Sequence, residues 1–139
     1  MGPTVSVVMA VHNGERYLEE SLLSILKQRV RDFECLVVDD GSTDRTAEIA
    51  RSFGCRVAPV EKRCIAAARN GGAAIARGEI LCFTDADGQI HAETFNAIRR
   101  AMDTGRCVAG ATGCTLERSS IGTAMAYVLL MPLVWTTGM

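Results

Sequence analysis

The chain has 139 residues, a net charge of -1 and 48% hydrophobic residues. That is enough apolar material for one domain with a core of its own. The near-neutral balance leaves no basic footprint, which excludes nucleic acid as a partner. Six cysteines (Cys35, Cys55, Cys64, Cys82, Cys107 and Cys114) form no C-x-x-C pair, and only two histidines accompany them. Zinc is therefore excluded, and the cysteines read as reduced core thiols of a cytoplasmic protein. The opening MGPTVSVVMAVHN has no basic run ahead of its apolar stretch, so it does not read as a signal peptide.

Taken in chain order, VSVVMAV (Val5–Val11) is a β-rich, nearly continuous apolar run. Such a run suits a parallel strand covered on both faces. His12, Asn13 and Gly14 break it, and Asn13 is placed to cap a helix in which Leu18, Leu22, Ile25 and Leu26 recur at helical spacing. FECLVV (Phe33–Val38) predicts a second strand stopping at Asp39. A helix is expected from Ser42 or Thr43, burying Ile49, Ala50 and Phe53. CRVAPV predicts a weaker strand. CIAAARNGGAAIARG predicts an Ala-rich helix that Gly71 and Gly72 threaten to break. EILCFT predicts the best central strand, Ala92–Met102 a helix, and CVAGAT another short strand. Alternation of this kind implies βαβ units, hence a three-layer αβα sandwich around a mostly parallel open sheet. Ligands of such sheets bind beyond the carboxyl ends of the strands. Three predicted strands end there in polar residues: His12–Asn13, Asp39–Asp40 and Asp85–Asp87.

In ILCFTDADGQI an apolar strand ends in two aspartates one residue apart. If extended, Asp85 and Asp87 point the same way, and both carboxylates face one hard cation such as Mg²⁺ or Mn²⁺, with substrate phosphates completing its shell. The plain alternative is a solvated turn bent at Gly88. In VVDDGSTDRT a turn and a helix cap account for Gly41 to Asp44 but not for two adjacent aspartates leaving an apolar strand; a carboxylate there can accept a hydrogen bond from a base N–H or a ribose hydroxyl. Lys62, Arg63 and Arg69 are the nearest basic groups in sequence, able to neutralise a diphosphate or simply to sit solvated at the surface.

Together and in this order, VSVVMAVHNGERYLEESLLSILKQ, FECLVVDDGSTDRT and AAARNGGAAIARGEILCFTDADG resemble the family 2 glycosyltransferases. The resemblance covers about Val5 to His91 and implies the GT-A fold. It implies that the first strand end and the paired aspartates hold the nucleotide of a UDP- or GDP-linked sugar donor, through Ala10, His12, Glu15, Asp39 and Asp40, with Asp40 the preferred base contact. It implies that Asp85 and Asp87 form the D-x-D motif, Asp85 towards the ribose and both towards a Mg²⁺ or Mn²⁺ ion on the diphosphate, Asp87 being the usual ligand. Arg69 and Asn70 match the family's ARN segment, which adds Arg69 to the donor-binding set. The implied reaction is sugar transfer to a hydroxyl of a glycan or lipid-linked acceptor, with inversion.

The family takes its general base from an acidic motif well after D-x-D, and here the only later acids, Glu93, Asp103 and Glu117, sit in no matching motif. The base is expected beyond Met139. Residues 1–112 then form a nucleotide-sugar-binding domain, and residues 113–139 an apolar helical segment that starts an acceptor-side region. The alternative is a binding module of the same fold without catalysis. A haloacid-dehalogenase-type phosphatase is disfavoured because Gln89 stands four residues after Asp85, where Thr or Val is usual, and because two strands precede the motif. Ile121–Met139 has no charged residue. Pro132 and several small residues favour a packed helix there; the other reading places residues 121–139 against a membrane surface at the inner face.

Overall fold

The computed structural model describes residues 2–111. Its elements run β1 (Val5–Val11), α1 (Leu18–Leu26), β2 (Phe33–Asp40), α2 (Thr46–Ser52), β3 (Arg56–Val60), α3 (Ile65–Ile75), β4 (Ile80–Asp85) and α4 (Thr94–Asp103). One compact unit ends at Cys107, and a second begins at Val108. The expected apolar helix at 113–139, the membrane reading of 121–139, Cys114 and Glu117 all lie outside the described residues.

The four described strands form one sheet in the order β3-β2-β1-β4, every pair parallel. β1 lies between two neighbours and under helices on both faces, which is why its sequence is apolar almost without a break. Val5, Val7, Met9 and Val11 pack with Leu18, Leu22 and Ile25 of α1 and with Phe95 of α4. Val8 packs instead with Leu36, Val38 and Ala68 of α3. The result is three layers: α1, α2 and α4, then the sheet, then α3. Cys35 and Cys55 lie side by side in the first core, and their S–H contact, with burial, pushes the Cys35 thiol up. Cys64 departs from the core-thiol expectation because it is exposed, at the start of α3.

Gly71 and Gly72 do not interrupt α3, which runs unbroken from Ile65 to Ile75. A Cβ at Gly72 would meet Val8 at 2.4 Å and Val38 at 2.7 Å. The helix approaches the sheet so closely that only glycine fits. Two helix starts are later than expected. Asn13 takes a positive φ of 52° and spends its side-chain oxygen on the Thr43 N–H, so α1 begins at Leu18. The Thr46 N–H donates to Asp44 Oδ1, an Asx turn that delays α2 to Thr46. The strand expected in CVAGAT is absent from its described part, 107–111. Gly105, at φ 66°, turns the chain at the end of α4, and Val108, an apolar residue that such a strand would bury, is 92% exposed. Among the described residues no helix is long and apolar enough to cross a membrane.

Neighbouring glycines should respond oppositely to the same substitution. Gly72→Ala should destabilise the fold by about 1–3 kcal/mol through overpacking. Gly71→Ala has its nearest new contact at 3.8 Å, on Val60, and should stabilise by about 0.4–1 kcal/mol by restricting the unfolded chain. Urea midpoints of the two variants check this.

Candidate nucleotide and metal site

The crossovers through α1 and α2 carry the chain outward from β1 to β2 and β3. The crossover through α3 brings it back to the other side of β1, as β4. The strand order therefore reverses between β1 and β4, where open α/β sheets form their ligand crevice. An open cleft of about 380 Å³ lies there, lined by residues 10–14 of the β1 end, by Asp85, Ala86 and Asp87 of the β4 end, and by Tyr17 and Ile65.

Of the residues expected to form a site, this cleft brings together Ala10, His12, Asp85 and Asp87. Asp85 is the last residue of β4, and Asp87 lies in the turn closed by the Gly88 N–H on the Asp85 carbonyl oxygen at 3.3 Å. The two carboxylates thus share the cleft because the chain turns there, not because an extended strand aligns them. Asp85 Oδ1 takes Arg69 Nη2 at 2.6 Å. Asp87 makes no hydrogen bond or ion pair among the described residues. His12 Nδ1 is 2.8 Å from the Asp40 carbonyl oxygen. A carbonyl only accepts, so Nδ1 carries a proton, and in the neutral ring Nε2 is the acceptor.

Asp39 and Asp40 are buried beside the cleft. Asp39 Oδ1 accepts the Ser42 N–H at 2.9 Å, closing the turn through Gly41, whose φ is 71°. Asp40 accepts three backbone N–H groups: Lys62 at 2.7 Å and Arg63 at 2.9 Å on Oδ1, and Cys64 at 2.8 Å on Oδ2. Arg63 is held at φ 44°, an unfavourable region for a side-chain-bearing residue, so the Asp40 carboxylate offsets strain in the loop that leads into α3. Glu15 is drawn towards α2 instead, accepting the Arg45 N–H at 3.2 Å. Glu93 is held by Arg29 and Asn96, and Asp103 ends α4.

Sequence reasoning missed a polar stripe that runs along α1 and continues to Gln28 just after it. Ser21 Oγ donates to the Gly88 carbonyl at 2.6 Å, and Ser24 Oγ accepts the Ile90 N–H at 3.1 Å. Fully buried Gln28 donates to the His91 carbonyl at 2.7 Å and accepts the Phe95 N–H at 3.1 Å. These three side chains clamp the segment that follows D-x-D. The available signal was polar residues at i, i+3 and i+7 on the face expected to be buried.

Among the described residues no group of three or more His, Cys, Asp or Glu is placed to hold a metal ion. Two exposed carboxylates in an open cleft do fit Mg²⁺ or Mn²⁺, which keep several positions for water and substrate phosphate.

Residues 6–125 match the family model for glycosyl transferase family 2. EpsJ of Bacillus subtilis (strain 168), described as an uncharacterized glycosyltransferase, is 33% identical over 103 residues, covering 70% of this chain and 30% of EpsJ. The crystal structure of S. aureus TarS 1–349 superposes with a TM-score of 0.70 and 29% identity over 86% of this chain and 39% of that one. The mannosyltransferase PcManGT from Pyrobaculum calidifontis, solved with GDP-Man and Mn²⁺, gives a TM-score of 0.62 and 33% identity over 71% of this chain and 32% of that one. The chain spans about a third of the length of these relatives.

The Asp40 environment has a pH signature. The Lys62 N–H does most to hold this carboxyl below the usual range; burial opposes it, and the Arg63 and Cys64 N–H groups and His12 add to the lowering. A depressed folded-state pKa stabilises the fold above the unfolded value of about 4, and that contribution is lost as pH falls through the folded value. Asp40→Asn should therefore be less stable than wild type at neutral pH, with the gap in urea midpoints narrowing as pH falls through about 4 and below. A gap of constant size would contradict this account.

Proposed function

The chain belongs to glycosyl transferase family 2 and has its α/β GT-A fold, and on that footing we propose that its cleft binds a nucleotide-sugar donor for transfer to an acceptor hydroxyl. The observation that carries this reading is the pairing of Asp85 and Asp87 with the β1 end at the point where strand order reverses. Relatives support both nucleotide classes: TarS was solved with UDP-GlcNAc and PcManGT with GDP-Man and Mn²⁺.

In this reading Asp40 contacts the base. It lies on the α3 side of the sheet, the side that Ala10 and Asp85 also face. Its carboxylate has acceptor capacity beyond the three N–H groups it already takes. Asp39 faces the other side and keeps the turn. Asp85 and Asp87 hold a divalent cation, which when bound offsets charge developing on the departing diphosphate. Arg69 adds a fixed positive charge beside them. A hydroxyl of a glycan or lipid-linked acceptor on the cytoplasmic side attacks the donor's anomeric carbon with inversion, the new C–O bond forming as the bond to the nucleoside diphosphate breaks and the hydroxyl proton passing to a base.

A second reading, donor binding without efficient transfer by this chain alone, has one specific observation behind it. Among the described residues the carboxylates lining the cleft are Asp85 and Asp87, and both are assigned to the cation. None is left to take the acceptor's proton, a role worth about 10²–10⁴-fold.

Calorimetric titration with UDP and with GDP tests the donor site. Mn²⁺ should strengthen binding of at least one of them, and Asp87→Ala should abolish the gain; the same Mn²⁺ dependence in the variant would refute the ligand assignment. Asp40→Asn should weaken nucleotide binding about tenfold, with no rescue by added metal. If Asp39→Asn is the harmful change and Asp40→Asn is silent, the base contact is the wrong aspartate. A time course with radiolabelled sugar nucleotides separates the two readings. Donor hydrolysis without acceptor-dependent product supports binding alone, and rapid acceptor-dependent product overturns it.

A further inference from the structure

The Arg69–Asp85 pair does more than tie α3 to the sheet edge. Its 2.6 Å contact uses one oxygen of a carboxylate that the cation also needs, and Asp85 is 61% exposed. Arg69 is poorly satisfied by this arrangement. Its Nε is buried and has no hydrogen-bond partner among the described residues. A guanidinium has five N–H donors and keeps its charge at any working pH, so it cannot leave Asp85 by losing a proton. The pair is open to solvent on the Asp85 side, so another anion can compete for the guanidinium. A diphosphate offers pairs of oxygens that accept two parallel N–H bonds from one guanidinium.

From this geometry, and resting on the donor-site reading above, we infer that Arg69 is the resident counter-ion of the cation subsite. It holds Asp85 while no cation is bound, and it exchanges that carboxylate for the diphosphate when cation and nucleotide arrive together. A divalent cation entering alone meets a positive charge already seated on Asp85, and the two repel. With a nucleoside diphosphate present, the added negative charge accommodates both. Cation and nucleotide therefore bind cooperatively, and Arg69 is the positioning residue that couples them.

The test is Mn²⁺ binding to the full chain, followed by the electron paramagnetic resonance signal of free Mn²⁺, alone and with UDP or GDP. In the wild type, nucleotide should tighten Mn²⁺ binding about tenfold or more, within the usual range of coupling between sites. In Arg69→Gln, Mn²⁺ alone should bind several-fold more tightly than in wild type, and the nucleotide effect should shrink towards unity. Arg69→Met keeps the aliphatic stem, carries the same expectation, and replaces Arg69→Gln if thermal melting shows that variant unfolded. A salt bridge that only stabilised the fold would not produce a gain in Mn²⁺ affinity. Unchanged or weaker Mn²⁺ binding in a folded variant, with the wild-type coupling intact, overturns the role of Arg69 and leaves the donor site standing. Absence of any nucleotide effect in the wild type overturns the donor-site reading itself, and the exchange with it.

Discussion

The cleft depends on the register of β1 between two parallel ladders. Ala10 pairs with Val38 on one side and with Asp85 on the other. Two residues beyond Val38 on β2, on the same face, is Asp40. Adjacent strands lie about 4.8 Å apart and rise about 3.3 Å per residue, so Asp40, two strands across and two residues further on, stands roughly 12 Å from Asp85. A slip of one residue on either side would turn the acids to the opposite face of the sheet. Such a slip is prevented by Val7, Met9 and Val37 on one face and Val8, Leu36 and Val38 on the other, all buried in the two cores.

Register alone would leave the loops beyond the strands free to wander. The chain binds them with polar groups placed inside the apolar layers. Asp40 holds residues 62–64 and so fixes where α3, and with it Arg69, begins. On the other face, Ser21, Ser24 and Gln28 hold residues 88–95, and so fix the turn that carries Asp87. Both devices use buried polar atoms whose hydrogen bonds are made, the condition under which such atoms rigidify rather than destabilise a core. The cleft therefore depends on residues that sit outside it.

Four strands, their parallel pairing and the αβα layering were legible because apolar runs of β-rich composition alternate with helical spacing from Val5 to Asp103; the strand expected at CVAGAT and the central place expected of EILCFT, an edge strand among the described residues, were not. The strand-end acids were legible because carboxylates are out of place after such runs. Helix starts were less so: Asn13 and Asp44 have the chemistry of caps, yet tertiary partners on β2's turn and within the turn itself captured their side chains. Gly72 read as a helix breaker because propensity is local, whereas the reason for glycine there is the wall of Val8 and Val38, which are distant in sequence. The Arg69–Asp85 contact joins residues sixteen apart on different elements, and composition offered only that a basic group lay nearby.

The four acids at the strand ends differ in how completely the protein satisfies them, and that ordering separates the carboxylates that the fold itself needs from those it does not. Asp40 is buried and takes three N–H groups; Asp39 is buried and takes one. Asp85 is exposed and shares a single cation, and exposed Asp87 has no partner among the described residues. Buried carboxylates need their hydrogen bonds whether or not a ligand is present, because an unpaired buried charge is severely penalised. An exposed carboxylate is kept company by water and needs nothing from the fold. Two adjacent acids left to solvent at a reversal of strand order repel one another, and nothing in the packing of β4 requires either. A bound cation relieves that repulsion and gives both carboxylates a partner. The Arg69 guanidinium, 2.6 Å from Asp85, already offsets part of that repulsion.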